Sequence, residues 1–163
     1  MQNNILLKDS SMPDLTLAIC MYNAEKYIKE TLESVIAQTM QDFHLLIVND
    51  CSTDKSVAAV EAFFALHPRQ FEIVTLEQNC GLCVGRRFAE EHATTKYIMF
   101  VDADDCIKPN YIEKLYGTIK ADNGLIAVGC YAEYMDSSGK KINGGIFIGE
   151  TTKEDFYRKA QKE

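Results

Sequence analysis

The stretch "YIMFVDADD", positions 97 to 105, ends a run of β-forming apolar residues in three carboxylates, Asp102, Asp104 and Asp105. Asp102 and Asp104 are two apart, and in an extended backbone that spacing sends both side chains to one side. Ala103 between them turns away and is small enough to let the chain bend. Converging carboxylates suit a hard divalent cation, Mg or Mn, which takes one or two protein carboxylates and completes its shell with waters and phosphate oxygens. A solvated acidic turn is the competing structural reading, because aspartate is common in loops and at helix starts.

Other residues add chemistry of a compatible kind. Asp50, at the end of a second apolar run, can accept from the imide N–H of a uracil or from ribose hydroxyls. Its alternative is turn and capping duty, shared with Ser52, Thr53 and Asp54, and for Asp54 capping is the preferred reading. Tyr22 offers a flat face for a base, or simply packs over a strand end. Its neighbour Asn23 is grouped with the nucleotide-binding candidates and is also a good helix N-cap. Arg86 can meet a phosphate or pair with Glu90 four residues on. Cys80 and Cys83 form a C-x-x-C pair, "CGLC", leading into a helix, where redox dithiols occur. Against a zinc site, His44, His67 and His92 stand at no ligand spacing. Small, soft residues filling tight turns account for these cysteines more simply.

Alternating strands and helices are needed to position these groups. "LTLAICM" reads as a buried strand, followed by a helix capped by Asn23 with Ile28, Leu32, Val35 and Ile36 on its apolar face. "FHLLIVN" is a second strand, Asp54 opens a second helix with Val57, Val60 and Phe64, and "FEIVTLE" is a third strand. A helix around Val84 to His92 leads into the "YIMFV" strand. The next helix starts near Pro109, a favoured first-turn residue, with Ile112, Leu115, Tyr116 and Ile119 inward. "GLIAVGCYAEYM" supplies a fifth strand, "MDSSGKKINGG" a turn or hairpin, and Thr151 with Glu154 a capping box for a last polar helix. This order predicts an α/β fold, a mostly parallel sheet with helices on both faces, whose ligands bind outside the carboxyl ends of the strands. The loops there are residues 20–23, 49–54, 77–83 and 102–106.

Composition narrows the partners. The chain has 163 residues, 47% hydrophobic and 10% aromatic, which fits an ordinary globular domain over 15–163 with residues 1–14 as a flexible lead-in. With 17 basic and 24 acidic residues its formal charge is −7, so nucleic acid is not an expected partner. No apolar run approaches the roughly 20 residues of a membrane span. The six cysteines sit in a chain without disulfide-scaffold composition, which predicts reduced thiols in the cytoplasm. Peripheral contact with the inner membrane face stays open.

Four motifs, in order, now carry a family resemblance: "LAICMYN", "LESVIAQTMQDFHLLIVNDCSTDKS", "NCGLCVGRR" and "YIMFVDADD". Over about Leu15 to Tyr116 the chain resembles the nucleotide-sugar-binding half of family 2 glycosyltransferases of the GT-A type. The resemblance implies a Rossmann-like nucleotide-diphospho-sugar transferase fold and a divalent cation. It also implies transfer of a sugar, with inversion, from a nucleoside diphosphate donor, usually UDP-linked, to a glycan or lipid-linked acceptor. By position, Tyr22 and Asp50 match the family's nucleoside contacts, and Asp102 and Asp104 its D-x-D, with Asp104 the better match for the metal ligand.

Three motifs depart from the family pattern. "CMYN" stands for P-x-Y-N, Asn49 and Asp50 for an aspartate pair, and Gly85-Arg86-Arg87 for A-R-N. The family's general base comes from a region after the fifth strand, and because the chain stops at Glu163 the expectation is a truncated domain. Glu154 and Asp155 are acidic, but carboxylates in a first helical turn answer to the helix dipole. The alternative is a nucleotide-binding module without activity. A D-x-D phosphatase is disfavoured, since its motif follows the first strand and here the motif follows the fourth.

Overall fold

A computed structural model describes residues 13–121, 125–127, 134–135, 141–142 and 151–152. The chain divides into two units, Met1–Pro109 and Asn110–Glu163. In the first, four strands, β1 (Leu15–Met21), β2 (His44–Asn49), β3 (Glu72–Thr75) and β4 (Tyr97–Asp102), form one sheet in the order β3-β2-β1-β4. Every pairing is parallel. The helices α1 (Ile28–Ile36), α2 (Ser56–Leu66) and α3 (Leu82–His92) provide the crossovers.

Strand β1 is buried along its whole length, as expected for a central strand covered on both faces. Its alternate residues Ala18 and Cys20 join Leu46 and Val48 of β2 and Ala89 of α3 in one cluster, with Phe88 and Phe100 against it. Leu17, Ile19, Leu45 and Ile47 point the other way by strand alternation and are fully buried, as are Ile28, Leu32 and Val35 of α1 and Val60 of α2. Each such side chain contributes on the order of 2 kcal/mol by leaving water.

In the second unit, α4 (Tyr111–Ala121) buries Ile112 and half-buries Leu115, Tyr116 and Ile119, the four positions expected to face inward. Pro109 falls two residues before this helix and not in its first turn. The expected fifth strand, residues 124–135, is described in two pieces outside the four-stranded sheet: β5 (Leu125–Ala127), which pairs antiparallel with β8 (Thr151–Thr152), and Tyr134–Met135. Thr151 is therefore in an extended pairing and does not cap a helix; Glu154 and Asp155 lie outside the described residues. The expected hairpin is present as β6 (Tyr134–Met135) paired antiparallel with β7 (Lys141–Ile142).

Candidate functional site

In the strand order β3-β2-β1-β4, the chain steps away from β1 in one direction to β2 and β3 and in the other to β4. The carboxyl ends of β1 and β4 thus flank a topological switch point, where crossover loops part and leave a crevice. Register sets the depth of each residue there. Cys20 lies level with Asp102, and Met21 level with Asn49, so Asp50 and Asp102 emerge at neighbouring heights on either side of β1. Two strand spacings, roughly 10 Å, separate them laterally.

Alternation turns Val48 and Asp50 toward the α3 face, and Phe100 and Asp102 likewise. On that face Arg86, in the second turn of α3, places Nη2 2.5 Å from Asp102 Oδ1. Its guanidinium carbon is 5.6 Å from the Phe100 ring centre, and its Nε is buried with no hydrogen-bond partner. The partner of Arg86 is thus Asp102 and not Glu90; the helical pair at spacing four is Arg87 with Glu91. Two candidates chosen separately from sequence are in contact.

Asp50 is 4% exposed. Its Oδ1 accepts from the amide of Cys80 at 2.8 Å and its Oδ2 from the amide of Gly81 at 2.7 Å, so it fixes the start of α3. Gly81 takes φ of 85°, a conformation open to glycine at little cost. Sequence reasoning missed these two donors, because backbone amides leave no residue signature. Burial pushes the Cys20 thiol up to about 11; Arg86 acts against this, while Asp102 and Asp50 reinforce it. One sulfur therefore feels all three charged candidates.

The acidic turn differs from its sequence-based picture. The amide of Asp105 donates to the carbonyl of Asp102 at 3.1 Å, closing a turn, so Asp102 and Asp104 do not lie on continuous extended chain. Ala103 is buried, and its carbonyl accepts from the Thr31 hydroxyl at 2.8 Å. Asp104 is exposed. Burial, then Asp102 and Asp104, raise the Asp105 carboxyl above its ordinary value, with Arg86 opposing. Three carboxylates within four residues are the donor chemistry a hard divalent cation takes. Among the described residues no group of three or more His, Cys, Asp or Glu side chains forms an all-protein metal site. Magnesium does not need one, since it completes its shell with waters and phosphates.

Tyr22 is 49% exposed at the tip of β1. Asn23 does not cap α1, which begins at Ile28 after Tyr27. With φ of 51° its Oδ1 instead accepts from the amides of Thr53, at 2.8 Å, and Asp54, at 3.3 Å. The amides of Asn23 and Ala24 donate to the hydroxyls of Ser52 and Ser56, and that of Glu25 to Asp54. Asp54 also accepts from the amide of Ser56, the first residue of α2, but the N-cap position of that helix is Lys55, one residue after the expected cap. These bonds lace the β1–α1 and β2–α2 loops together directly after Tyr22. Asn49, 2% exposed, donates to Thr75 and accepts from the Ser52 amide.

Cys20, Cys51, Cys80, Cys83 and Cys106 are free thiols, and Cys130 lies outside the described residues. Cys80, Cys83 and Cys106 are exposed, so tight packing accounts for Cys20 and not for them. No helix among the described residues is long and apolar enough to cross a membrane.

Comparison with known proteins bears out the resemblance carried by the four motifs. Residues 16–162 match the model of glycosyl transferase family 2. Glycosyltransferase GlyA of Streptococcus pneumoniae is 36% identical over 126 residues, covering 77% of this chain and 18% of the relative. The teichoic acid poly(glycerol phosphate) polymerase of Staphylococcus epidermidis is 39% identical over 120 residues, covering 71% and 16%. The crystal structure of S. aureus TarS 1-349 in complex with UDP-GlcNAc superposes with a TM-score of 0.63 at 27% identity, over 72% of this chain and 34% of that one. The chain spans less than half the length of each of these proteins. The sheet order, the helices on both faces and this likeness give the expected GT-A fold. With a family model matching nearly the whole described sheet and both flanks of its switch point, the chain belongs to glycosyl transferase family 2.

Proposed function

We propose that this chain binds a nucleoside diphosphate sugar, UDP-linked, as the donor-binding part of an inverting glycosyltransferase that acts on a hydroxyl of a cell-surface polymer. The observation that carries the reading is the Arg86–Asp102 pair on the same sheet face as Asp50 at the β1/β4 switch point, with Tyr22 exposed at the adjoining tip. UDP-GlcNAc in the TarS complex supports the choice of donor. The name of the S. epidermidis polymerase supports a cell-surface acceptor.

In this reading the nucleoside lies over Tyr22, with its base or ribose bonded to Asp50. A carboxylate has roughly four acceptor sites, so Asp50 can hold the amides of Cys80 and Gly81 and still accept from a ligand. Arg86 keeps Asp102 oriented and offers its remaining donors to the diphosphate. Asp104, with Asp102, would hold magnesium or manganese. When bound, that ion neutralises charge on the departing diphosphate.

Calorimetric titration with UDP, GDP and TDP, each with and without manganese, tests the proposal. UDP is expected to bind best and to gain affinity from manganese. Asp104→Ala should remove that gain while leaving the thermal transition in place. Equal affinity of Asp104→Ala and the unaltered chain in the presence of manganese refutes the assignment.

A further inference from the structure

The acidic turn and the chain after it are held by polar side chains on α1 and just past its end. Thr31 and Ser34 are three apart on one side of α1, and Gln38 follows two residues past the end of that helix. The hydroxyl of Thr31 donates to the carbonyl of Ala103 at 2.8 Å. Ser34 Oγ donates to the carbonyl of Thr31 at 2.7 Å and accepts from the amide of Ile107 at 3.2 Å. Gln38 Nε2 donates to the carbonyls of Lys108, at 2.8 Å, and Ser34, at 3.0 Å. One residue further on, the amide of Thr39 donates to the carbonyl of Pro109 at 2.7 Å. Thr31 is 1% exposed and Gln38 4%, and the bond from Thr31 to Ala103 is buried away from competing water.

The two ends of this contact differ in rigidity. Helix α1 is anchored through Ile28, Leu32 and Val35, all fully buried. Between β4 and α4 the chain has no regular element, so its backbone groups find partners outside any ladder. The Ala103 carbonyl belongs to the peptide unit that joins Ala103 to Asp104, and planarity makes that unit turn as a body. Fixing this oxygen therefore fixes the direction in which the chain delivers Asp104 relative to Asp102. Threonine suits the task, because its branched side chain has few rotamers to lose.

We propose that Thr31, seconded by Ser34 and Gln38, is a positioning residue that sets the Asp102–Asp105 turn so that its carboxylates bear on one divalent cation. The inference rests on the donor-binding reading above. It concerns the cation-dependent part of donor affinity and leaves the nucleoside contacts at Tyr22 and Asp50 alone.

The experiment is calorimetric titration of UDP, with and without manganese, into the full chain and its Thr31→Val and Thr31→Ser variants. Valine keeps the shape and removes the hydroxyl; serine keeps the hydroxyl. In Thr31→Val, UDP affinity without metal should equal that of the unaltered chain, and the gain conferred by manganese should fall on the order of tenfold. Thr31→Ser should restore most of the gain. If Thr31→Val does not fold, Ser34→Ala, at a half-buried position, is read in the same way. Retention of the whole manganese gain in the variant overturns the inference, as does an equal loss of metal-free affinity, which would mark a merely structural role. An unaltered chain that binds UDP no better with manganese overturns the cation-binding reading and this inference together, whereas a gain confined to the unaltered chain and Thr31→Ser supports both.

Discussion

Gly85→Ala is expected to stabilise the protein. Gly85 is buried in the second turn of α3, where the helix crosses β1. An added Cβ would lie 3.6 Å from Cys20 Sγ and 3.8 Å from Cys20 Cβ, which is ordinary van der Waals contact. No backbone strain is relieved by glycine at this point, because its dihedrals are helical. Replacing glycine by alanine inside a helix is worth ~1 kcal/mol, chiefly by lowering the entropy of the unfolded chain. A newly buried methyl can add up to ~0.8 kcal/mol. Together they predict a gain of about 1 to 2 kcal/mol, or roughly 2 to 7 °C in Tm for a chain of this size. Scanning calorimetry and urea midpoints measure it, and UDP affinity should stay within about twofold, since the bond between Arg86 and Asp102 is untouched. A fall in Tm would refute the reasoning, because it would mean that α3 and β1 are too close at Cys20 for a methyl group. A rise in Tm with loss of UDP affinity would refute the second half, by showing that Arg86 depends on the glycine.

Two further substitutions probe the laced loops. Asn23→Ala removes the acceptor for the Thr53 and Asp54 amides and forces alanine to φ near 51°, at a combined cost of about 2 to 3 kcal/mol; Asn23→Gly loses only the acceptor and should cost about 1 kcal/mol less. Equal urea midpoints for the two variants would show that the left-handed conformation carries no strain. At Asp54, burial acts to raise the carboxyl, but bonds from the hydroxyl and amide of Ser56 and the amide of Glu25 outweigh it and hold the group below its ordinary 3.8. A depressed folded-state value stabilises the protein above the unfolded value, and that stability disappears as pH falls through the folded one. The unaltered chain should therefore exceed Asp54→Asn in urea midpoint near neutral pH, with the advantage shrinking below about pH 4. A difference that stays constant down to about pH 2.5 would contradict this assignment.

The alternation of strands and helices was legible because apolar runs such as "LTLAICM" and "HLLIVN" are continuous where a parallel strand is covered on both faces. The loop residues were legible because Asp, Asn and Tyr interrupt those runs at their ends. Local capping was less so: Asn23 has the chemistry of an N-cap, yet its left-handed backbone sends the side chain across to the next loop. A partner 30 residues away leaves no trace in a local window.

What the sequence determined by itself is the set of elements and the identity of the groups at their ends, since both follow from residue type and short-range periodicity. Tertiary structure alone decided which of those groups meet. Strand order put β4 beside β1, and register set Asp102 level with Cys20. The approach of α3 turned Arg86 to Asp102 and away from Glu90. Each is a choice among long-range pairings that similar local patterns permit, and the chain makes it by burying both faces of the sheet at once.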